Sequence, residues 1–285
     1  MLKTNYHCHT TFCDGSNTVE EMVCAAIEKH FDILGISSHS AYPFAEKWHI
    51  APREHKKYMQ EVKAAVKTYK DKITVLCGFE ADYIKGISKP SLTEDYAELK
   101  PDYLIGSVHY VAINDKIFAV DDSAENLALS IRDCCGGKAE IAVKEYFALE
   151  REMLSKGVFT ILGHADLIRK NNGKLCMFNE KDEWYRTEIK TLADCIKRAG
   201  VIAEINTGAI SRGTMDDIYP SEELLHLLHE RNIPITVNSD AHSCSALDCA
   251  FDRAFFKAKK AGYSELAYLD SGSNIKFQKL DFNSI

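Results

Sequence analysis

The stretch I-P-I-T-V-N-S-D-A-H, residues 233–242, places Thr236, Asn238 and Asp240 in alternation with Ile235, Val237 and Ser239. As a strand it has one polar face and one largely apolar face, because successive side chains point to opposite sides. G-V-I-A-E-I-N-T, from Gly200, repeats the pattern with Glu204 and Asn206 opposite Val201, Ala203 and Ile205. Five more runs of strand length precede these two: T-N-Y-H-C-H from Thr4, D-I-L-G-I-S-S-H from Asp32, I-T-V-L-C-G-F-E-A-D from Ile73, D-Y-L-I-G-S-V-H-Y from Asp102 and F-T-I-L-G-H-A-D from Phe159. Amphipathic segments separate the runs. Val19, Met22, Val23, Ala26 and Ile27 recur at helical spacing behind a capping box of Thr18 and Glu21. Residues 182–199 stop at Gly200, and Ser221 caps E-E-L-L-H-L-L-H-E-R. Further helical segments fall at 54–69, 124–134, 140–156 and 249–261. Strand and helix in regular alternation imply βαβ units and a parallel sheet, open or closed. The polar faces then point into a barrel. The segment from Tyr83 to Ser91 and the stretches N-D-K-I-F-A-V-D-D-S and R-K-N-N-G-K-L-C-M-F-N-E read as pocket-shaping loops after strand ends.

With 285 residues the chain suits one α/β barrel as a single domain, residues 1–285, with no low-complexity tract or linker. Charged residues make up 27% and hydrophobic ones 46%, an ordinary globular composition. A net charge of -7 without basic clusters speaks against nucleic acid, since phosphate neutralisation needs grouped Lys and Arg. No apolar run approaches the roughly 20 residues that span a bilayer, and none at the start reads as a secretory signal, so the expectation is a cytoplasmic protein without a membrane partner. The ten cysteines contain no C-x-x-C pair and read as reduced, mostly buried thiols rather than disulfides or metal ligands.

Six of the eleven histidines, His7, His9, His39, His109, His164 and His242, fall at or just past the C-terminal end of a strand run, with Glu80 and Asp240 among them. In parallel α/β folds that end is the rim where sites are built. Parity groups them further: His7 with His9, His164 with Asp166, and Asp240 with His242 share faces, while Tyr6 and Cys8 share the opposite one. Imidazoles and carboxylates buried together need a cation among them. Their number exceeds what one tetrahedral or octahedral ion uses, which implies at least two metals and points to three, with Zn, Fe or Mn favoured by mixed His and carboxylate ligation. His30, His55, His226 and His229 read as ordinary helix histidines, and His49, in an aromatic loop, as the one most apt to depart from that.

The ordered set H-C-H-T-T-F-C-D-G, S-S-H-S, G-F-E-A-D, G-S-V-H-Y, G-H-A-D-L-I-R-K, I-N-T-G-A-I-S-R and N-S-D-A-H resembles the polymerase-and-histidinol-phosphatase superfamily, and within it the monofunctional histidinol-phosphatases. The resemblance covers nearly the whole chain. It implies a distorted (β/α)7 TIM-like barrel with three divalent transition-metal ions at its rim. By resemblance the first ion takes His7, His9, Glu80 and Asp240; the second takes Glu80 again with His109 and His164; the third takes Asp14, His39 and His242. Several members carry histidine where Asp14 stands here. The implied activity is hydrolysis of a small-molecule phosphomonoester, L-histidinol phosphate, by water activated between two metals, with the third metal and an arginine on the phosphoryl oxygens. Arg212 is the preferred phosphate clamp, ahead of Arg169 and Arg53. Asp240 or His242 is expected to protonate the leaving alkoxide. Asp166 is expected to pair with the substrate ammonium, and Tyr42, Phe44 or Trp48 to stack on its imidazole. The same metals on another phosphoester, or a non-catalytic metal-binding module, are the competing readings.

Overall fold

The computed structural model describes residues 1–40 and 48–280. Along the chain run β1 (Thr4–Asn5), α1 (Val19–Glu28), β2 (Ile33–Ile36), α2 (His55–Tyr69), β3 (Thr74–Asp82), β4 (Tyr103–Ser107), β5 (Tyr110–Ile113), β6 (Lys116–Ala119), α3 (Ala124–Cys135), α4 (Ala139–Lys156), β7 (Ile161–Leu162), α5 (Asn172–Leu175), α6 (Glu183–Ala199), β8 (Ile202–Asn206), α7 (Gly208–Ser211), α8 (Glu222–Glu230), β9 (Ile235–Asn238), α9 (Phe251–Ala261), β10 (Glu265–Leu269) and β11 (Ile275–Lys279). Seven strands form one sheet in the order β1-β2-β3-β4-β7-β8-β9, all neighbours parallel. The last strand approaches the first: Cys8 bridges Ala241, the Ala241 N–H donates to the His7 carbonyl at 3.2 Å, and the His9 N–H donates to the Ala241 carbonyl at 2.8 Å. The result is a nearly closed, distorted (β/α)7 TIM-like barrel, an α/β fold in a single domain.

Local chemistry sets the helix ends where the spacing predicts them. The Thr18 side chain accepts from the Glu21 N–H while the Glu21 carboxylate accepts from the Thr18 N–H, closing the capping box of α1. The Ser221 hydroxyl accepts from the Leu224 N–H and starts α8. Gly200, in the left-handed region, ends α6.

The core has two layers. Strand residues facing outward, such as Leu34, Val75, Cys77 and Phe79, pack against the helices. Inside the barrel, Ile33, Leu76, Ile105, Ile161 and Ile202 from successive strands meet Tyr6 and Tyr103. A Cβ at Gly35 would stand 2.2 Å from the Tyr103 hydroxyl and one at Gly78 2.5 Å from its ring, so those two glycines make room for it. Leu269 and Ala267 of β10 complete this layer, and the Leu269 N–H donates to the Tyr6 hydroxyl at 2.9 Å. The apolar end of the barrel is thereby plugged by the β10–β11 hairpin, and the polar end carries the site.

Several expectations need correction. The first strand stops at Asn5, and Tyr6 turns into the inner layer while Cys8 faces the helices, so those two do not share a face. The stretch N-D-K-I-F-A is not a plain loop: Lys116–Ala119 pairs antiparallel with Tyr110–Ile113 across Asn114–Asp115, both at positive φ (51° and 60°). Two such residues make the type I′ geometry that matches strand twist. The β10–β11 hairpin was likewise absent from the sequence reading. Four of the ten cysteines are buried, five are half-buried and Cys176 is exposed. All ten are free thiols. Among the described residues no helix is long and apolar enough to cross a membrane.

Candidate metal centre

Glu80, at 1% exposure near the end of β3, is the hub of the polar rim. Its Oε2 lies 3.0 Å from His7 Nε2, 3.5 Å from His9 Nε2 and 3.0 Å from His39 Nδ1. Its Oε1 lies 2.9 Å from His164 Nε2 and 3.5 Å from His109 Nε2, and accepts from the Ser107 hydroxyl at 2.7 Å. The two oxygens of one carboxylate thus address two sets of imidazoles. Asp240 Oδ1 stands 3.1 Å from His9 Nε2 and 3.7 Å from His7 Nε2. Asp240 adopts φ 50°, a left-handed conformation that aspartate tolerates better than most residues and that often marks a functional position. Asp14 completes the rim, 3.2 Å from His242 Nε2, 3.8 Å from His9 Nδ1 and 4.0 Å from His39 Nε2.

Four groups have ligand atoms within 4.8 Å of one another: His9, Asp14, His39 and His242; His7, His9 and Asp240; Glu80, His109 and His164; and His39, Asp82 and His109. The fit to metal rests on orphaned atoms. Among the described residues His7 Nε2, His9 Nε2, His39 Nδ1 and Glu80 Oε2 are buried without a hydrogen-bond partner although they crowd one another. Buried polar atoms without partners are costly, and a shared cation satisfies them together. The donor set of imidazole nitrogens and carboxylate oxygens suits divalent transition metals.

The electrostatics have the same form. Burial alone would push every imidazole toward neutrality. At His7 the charges of Glu80, Glu204 and Asp240 outweigh it and raise the pKa well above the ordinary value. Burial likewise yields at His109 to Asp82 and Glu80, and its pKa is raised to about 10. At His9 and His39 burial prevails and the pKa is lowered. Against burial, His7, His39 and His109 hold Glu80 well below the usual carboxylate range, and Arg212 and His7 do the same for Asp240.

Two carboxylates to which sequence reasoning gave no role stand behind the imidazoles. Glu204 Oε2 is 3.0 Å from His7 Nδ1, its Oε1 accepts from the His164 N–H at 2.8 Å, and the amides of Asn206 and Asn238 each donate to it at 2.8 Å. Asp82 meets His109 Nδ1 at 2.9 Å and accepts its backbone N–H at 2.9 Å. Each pins one ring nitrogen and aims the other at Glu80, the arrangement by which carboxylates orient metal-ligating histidines. Their signal was parity: Asp82 follows Glu80 by two residues, and Glu204 shares the polar face of β8 with Asn206. Glu204→Gln is expected to weaken metal binding ten- to a hundredfold with the fold kept, measured by competition with a chelator.

A cavity of about 770 Å³ opens over the cluster, lined among others by Trp48, Tyr110, Asp121, Lys170 and Arg212. Arg212, after α7, donates from Nη2 to Asp240 Oδ2 at 2.9 Å and from Nη1 to the Asp240 carbonyl at 3.0 Å, with His242 Nδ1 at 3.2 Å. Gly208 permits this: a Cβ there would stand 2.7 Å from Arg212 Nη2 and 2.8 Å from Asp240 Oδ2. Trp48 packs edge-on against His39, with ring centroids 4.7 Å apart, and stacks 5.8 Å from Tyr110. His49 adjoins Trp48 and belongs to none of the four groups. Tyr42 and Phe44 lie outside the described residues.

Three expected substrate contacts are not brought to this cavity. Asp166 is wholly buried, accepts the Ser221 N–H at 2.7 Å and lies 3.5 Å from Arg169. Arg169 is itself buried and bonded to Glu180 at 2.9 Å and Asp217 at 3.1 Å. Arg53 is an exposed side chain beside Glu54. The chain leaves β7 after Leu162, so period-2 parity no longer governs where Asp166 points.

Comparison with known proteins agrees with this picture. A protein described as "Probable histidinol-phosphatase" from Schizosaccharomyces pombe is 25% identical over 282 residues, spanning 93% of this chain and 89% of its own. The histidinol-phosphatase of Bacillus subtilis (strain 168) is 24% identical over 267 residues, covering 88% of this chain and 98% of its own. In fold, the chain is similar to the histidinol phosphate phosphatase of Lactococcus lactis, solved with zinc, L-histidinol and phosphate, at a TM-score of 0.74 and 21% identity over 96% of this chain and 98% of that one. The family model described as PHP domain matches residues 5–208, well over half the length, and the chain belongs to the PHP domain family.

Proposed function

We propose that the chain hydrolyses L-histidinol phosphate to L-histidinol and inorganic phosphate, with His7, His9, Asp14, His39, Glu80, His109, His164, Asp240 and His242 holding three divalent ions of zinc, iron or manganese. The observation that carries the reading is the position of Glu80, whose two oxygens face separate imidazole sets beneath a cavity that also holds Arg212. The names of its relatives, and the L-histidinol and phosphate bound by the Lactococcus protein, support the choice of substrate.

When bound, ions of this kind make water a strong nucleophile at neutral pH and draw charge from phosphoryl oxygens. The chain's own groups do the rest. Arg212, a planar fork of donors, pairs with two phosphoryl oxygens as negative charge develops on them. Its bonds to Asp240 hold it over the cluster in advance, so little reorganisation accompanies the reaction. The leaving alkoxide takes its proton from His242, or from Asp240 after that carboxylate, ionised at rest, has accepted one from the attacking water; both lie beside the guanidinium. Aromatic rings of Trp48 and Tyr110 line the wall where the imidazole of the substrate is seated.

Phosphate release from histidinol phosphate, measured beside a panel of sugar phosphates and nucleotides, tests the assignment. A clear preference for histidinol phosphate is expected; faster turnover of any panel member would reassign the substrate. Arg212→Ala is expected to lower kcat/KM about a hundredfold, the loss typical of one transition-state donor, with metal content unchanged. Arg212→Lys is expected to recover only part, since an ammonium lacks the bidentate fork.

A further inference from the structure

The cavity has a second wall, which joins the histidine cluster at His109. It is made by β6, the segment that follows and the start of α3, and it carries Phe118, Asp121, Asp122 and Asn126. Two residues that follow β7, Lys170 and Asn171, pin this segment. Lys170 Nζ donates to the Asp121 carbonyl at 2.5 Å, and Asn171 Nδ2 donates to the Asp122 carbonyl at 2.9 Å. The two neighbouring carboxylates have different duties. Asp122 accepts the Ser123 N–H at 2.6 Å and the Asn126 amide at 3.1 Å, holding the first turn of α3. Asp121 has no such duty: among the described residues its nearest cation is Lys170 Nζ at 3.7 Å, and that ammonium already bonds a carbonyl. The Asp121 side chain keeps 29% of its surface open, and it follows Val120, whose N–H donates to the His109 carbonyl at 2.8 Å.

An ammonium beside a phosphate ester cannot settle against the metals or Arg212, where like charge repels it. It needs a carboxylate. Asp14, Glu80 and Asp240 belong to the histidine cluster and Asp122 to the helix start, which leaves Asp121 among the described acidic residues lining the cavity. We propose that Asp121 is a specificity-determining residue that receives the ammonium of an aminoalkyl phosphomonoester whose phosphate lies against Arg212. The proposal rests on the histidinol phosphate reading, in which the amine stands on the carbon next to the ester methylene and so lies close to the phosphate. Lys170 keeps the segment in place through the carbonyl bond and leaves one face of the carboxylate for the ligand.

The test uses metal-loaded protein, histidinol phosphate, and the analogue lacking only the amine. Wild type is expected to prefer the amine-bearing substrate by about tenfold or more, the range of a charge-assisted hydrogen bond. Asp121→Asn is expected to lower kcat/KM for histidinol phosphate about tenfold, chiefly through KM, and to leave the analogue unchanged, so that the preference disappears. Asp121→Glu is expected to restore part of it. Metal content and thermal midpoint are expected to match wild type in both variants. An undiminished preference in Asp121→Asn, or an equal loss on both substrates, overturns the proposal while the histidinol phosphate reading stands. Wild-type protein that turns over neither substrate overturns both.

Discussion

Glu80→Gln is expected to yield folded protein whose phosphomonoester turnover is reduced about a thousandfold and whose metal content falls short of wild type. The substitution is close to isosteric, so it leaves no cavity. What it removes is the second oxygen and the charge. In the native chain Oε2 faces His7, His9 and His39, and Oε1 faces His109 and His164. A carboxamide keeps one oxygen and turns an NH₂ toward the other set, where hydrogens meet imidazole nitrogens that ligation requires to be bare. The imidazoles hold Glu80 ionised against the effect of burial, so the loss of its charge also removes what balances them. Elemental analysis and kcat, taken on one preparation, check the expectation. Full metal content with near-normal turnover would show that Glu80 is not shared between two ions.

How far the site could be read from sequence depended on where strands end. Within a strand, parity is dictated by the backbone, and the inward polar faces of β8 and β9 were legible in advance: Glu204, Asn206 and Asn238 all meet at the cluster. Beyond the last ladder bond, parity holds only where something else keeps the chain extended. At His7 and His9 the bridge from Cys8 to Ala241 does so, and both rings reach Glu80. At His164 and Asp166 nothing does. The chain turns at once into a short 3₁₀ segment, Leu167–Arg169, and Asp166 is drawn under it. The hairpins were missed for another reason. Asn114–Asp115 is a turn signal, yet the run after it has only Ile117 and Phe118 as strong strand formers, and β10 shows its buried side only against the barrel floor. The supporting carboxylates Glu204 and Asp82 had the right parity, but only distances distinguish a residue that orients a ligand from one that is a ligand.

Arg169→Ala is expected to lower stability by about 3–5 kcal/mol and to spare the chemistry. The guanidinium is 7% exposed and joins Asp166, Glu180, Asp217 and the Ile218 carbonyl, at 3.5, 2.9, 3.1 and 3.3 Å. It thereby ties the turn after β7 to the loop that precedes α8. Asp217 has a second cation in Lys257, and Glu180 is partly solvated, so neither depends on Arg169 alone. Asp166 does. It is wholly buried, its Oδ1 has no hydrogen-bond partner among the described residues, and burial already raises its pKa against the pull of Arg169. Without the arginine an uncompensated carboxylate remains in the interior, the situation in which breaking a buried pair is most costly. For a chain of this size the loss corresponds to a fall in thermal midpoint of roughly 10 °C. Asp166→Asn in the same chain removes the stranded charge and is expected to return a substantial part of the loss, a coupling that a double-mutant cycle measures directly. Activity distinguishes this role from phosphate binding. Assayed well below the midpoint, Arg169→Ala should keep the wild-type KM, because the side chain does not line the cavity. A phosphate ligand would give the opposite pair of results, a kcat/KM lowered about a hundredfold with the midpoint unchanged.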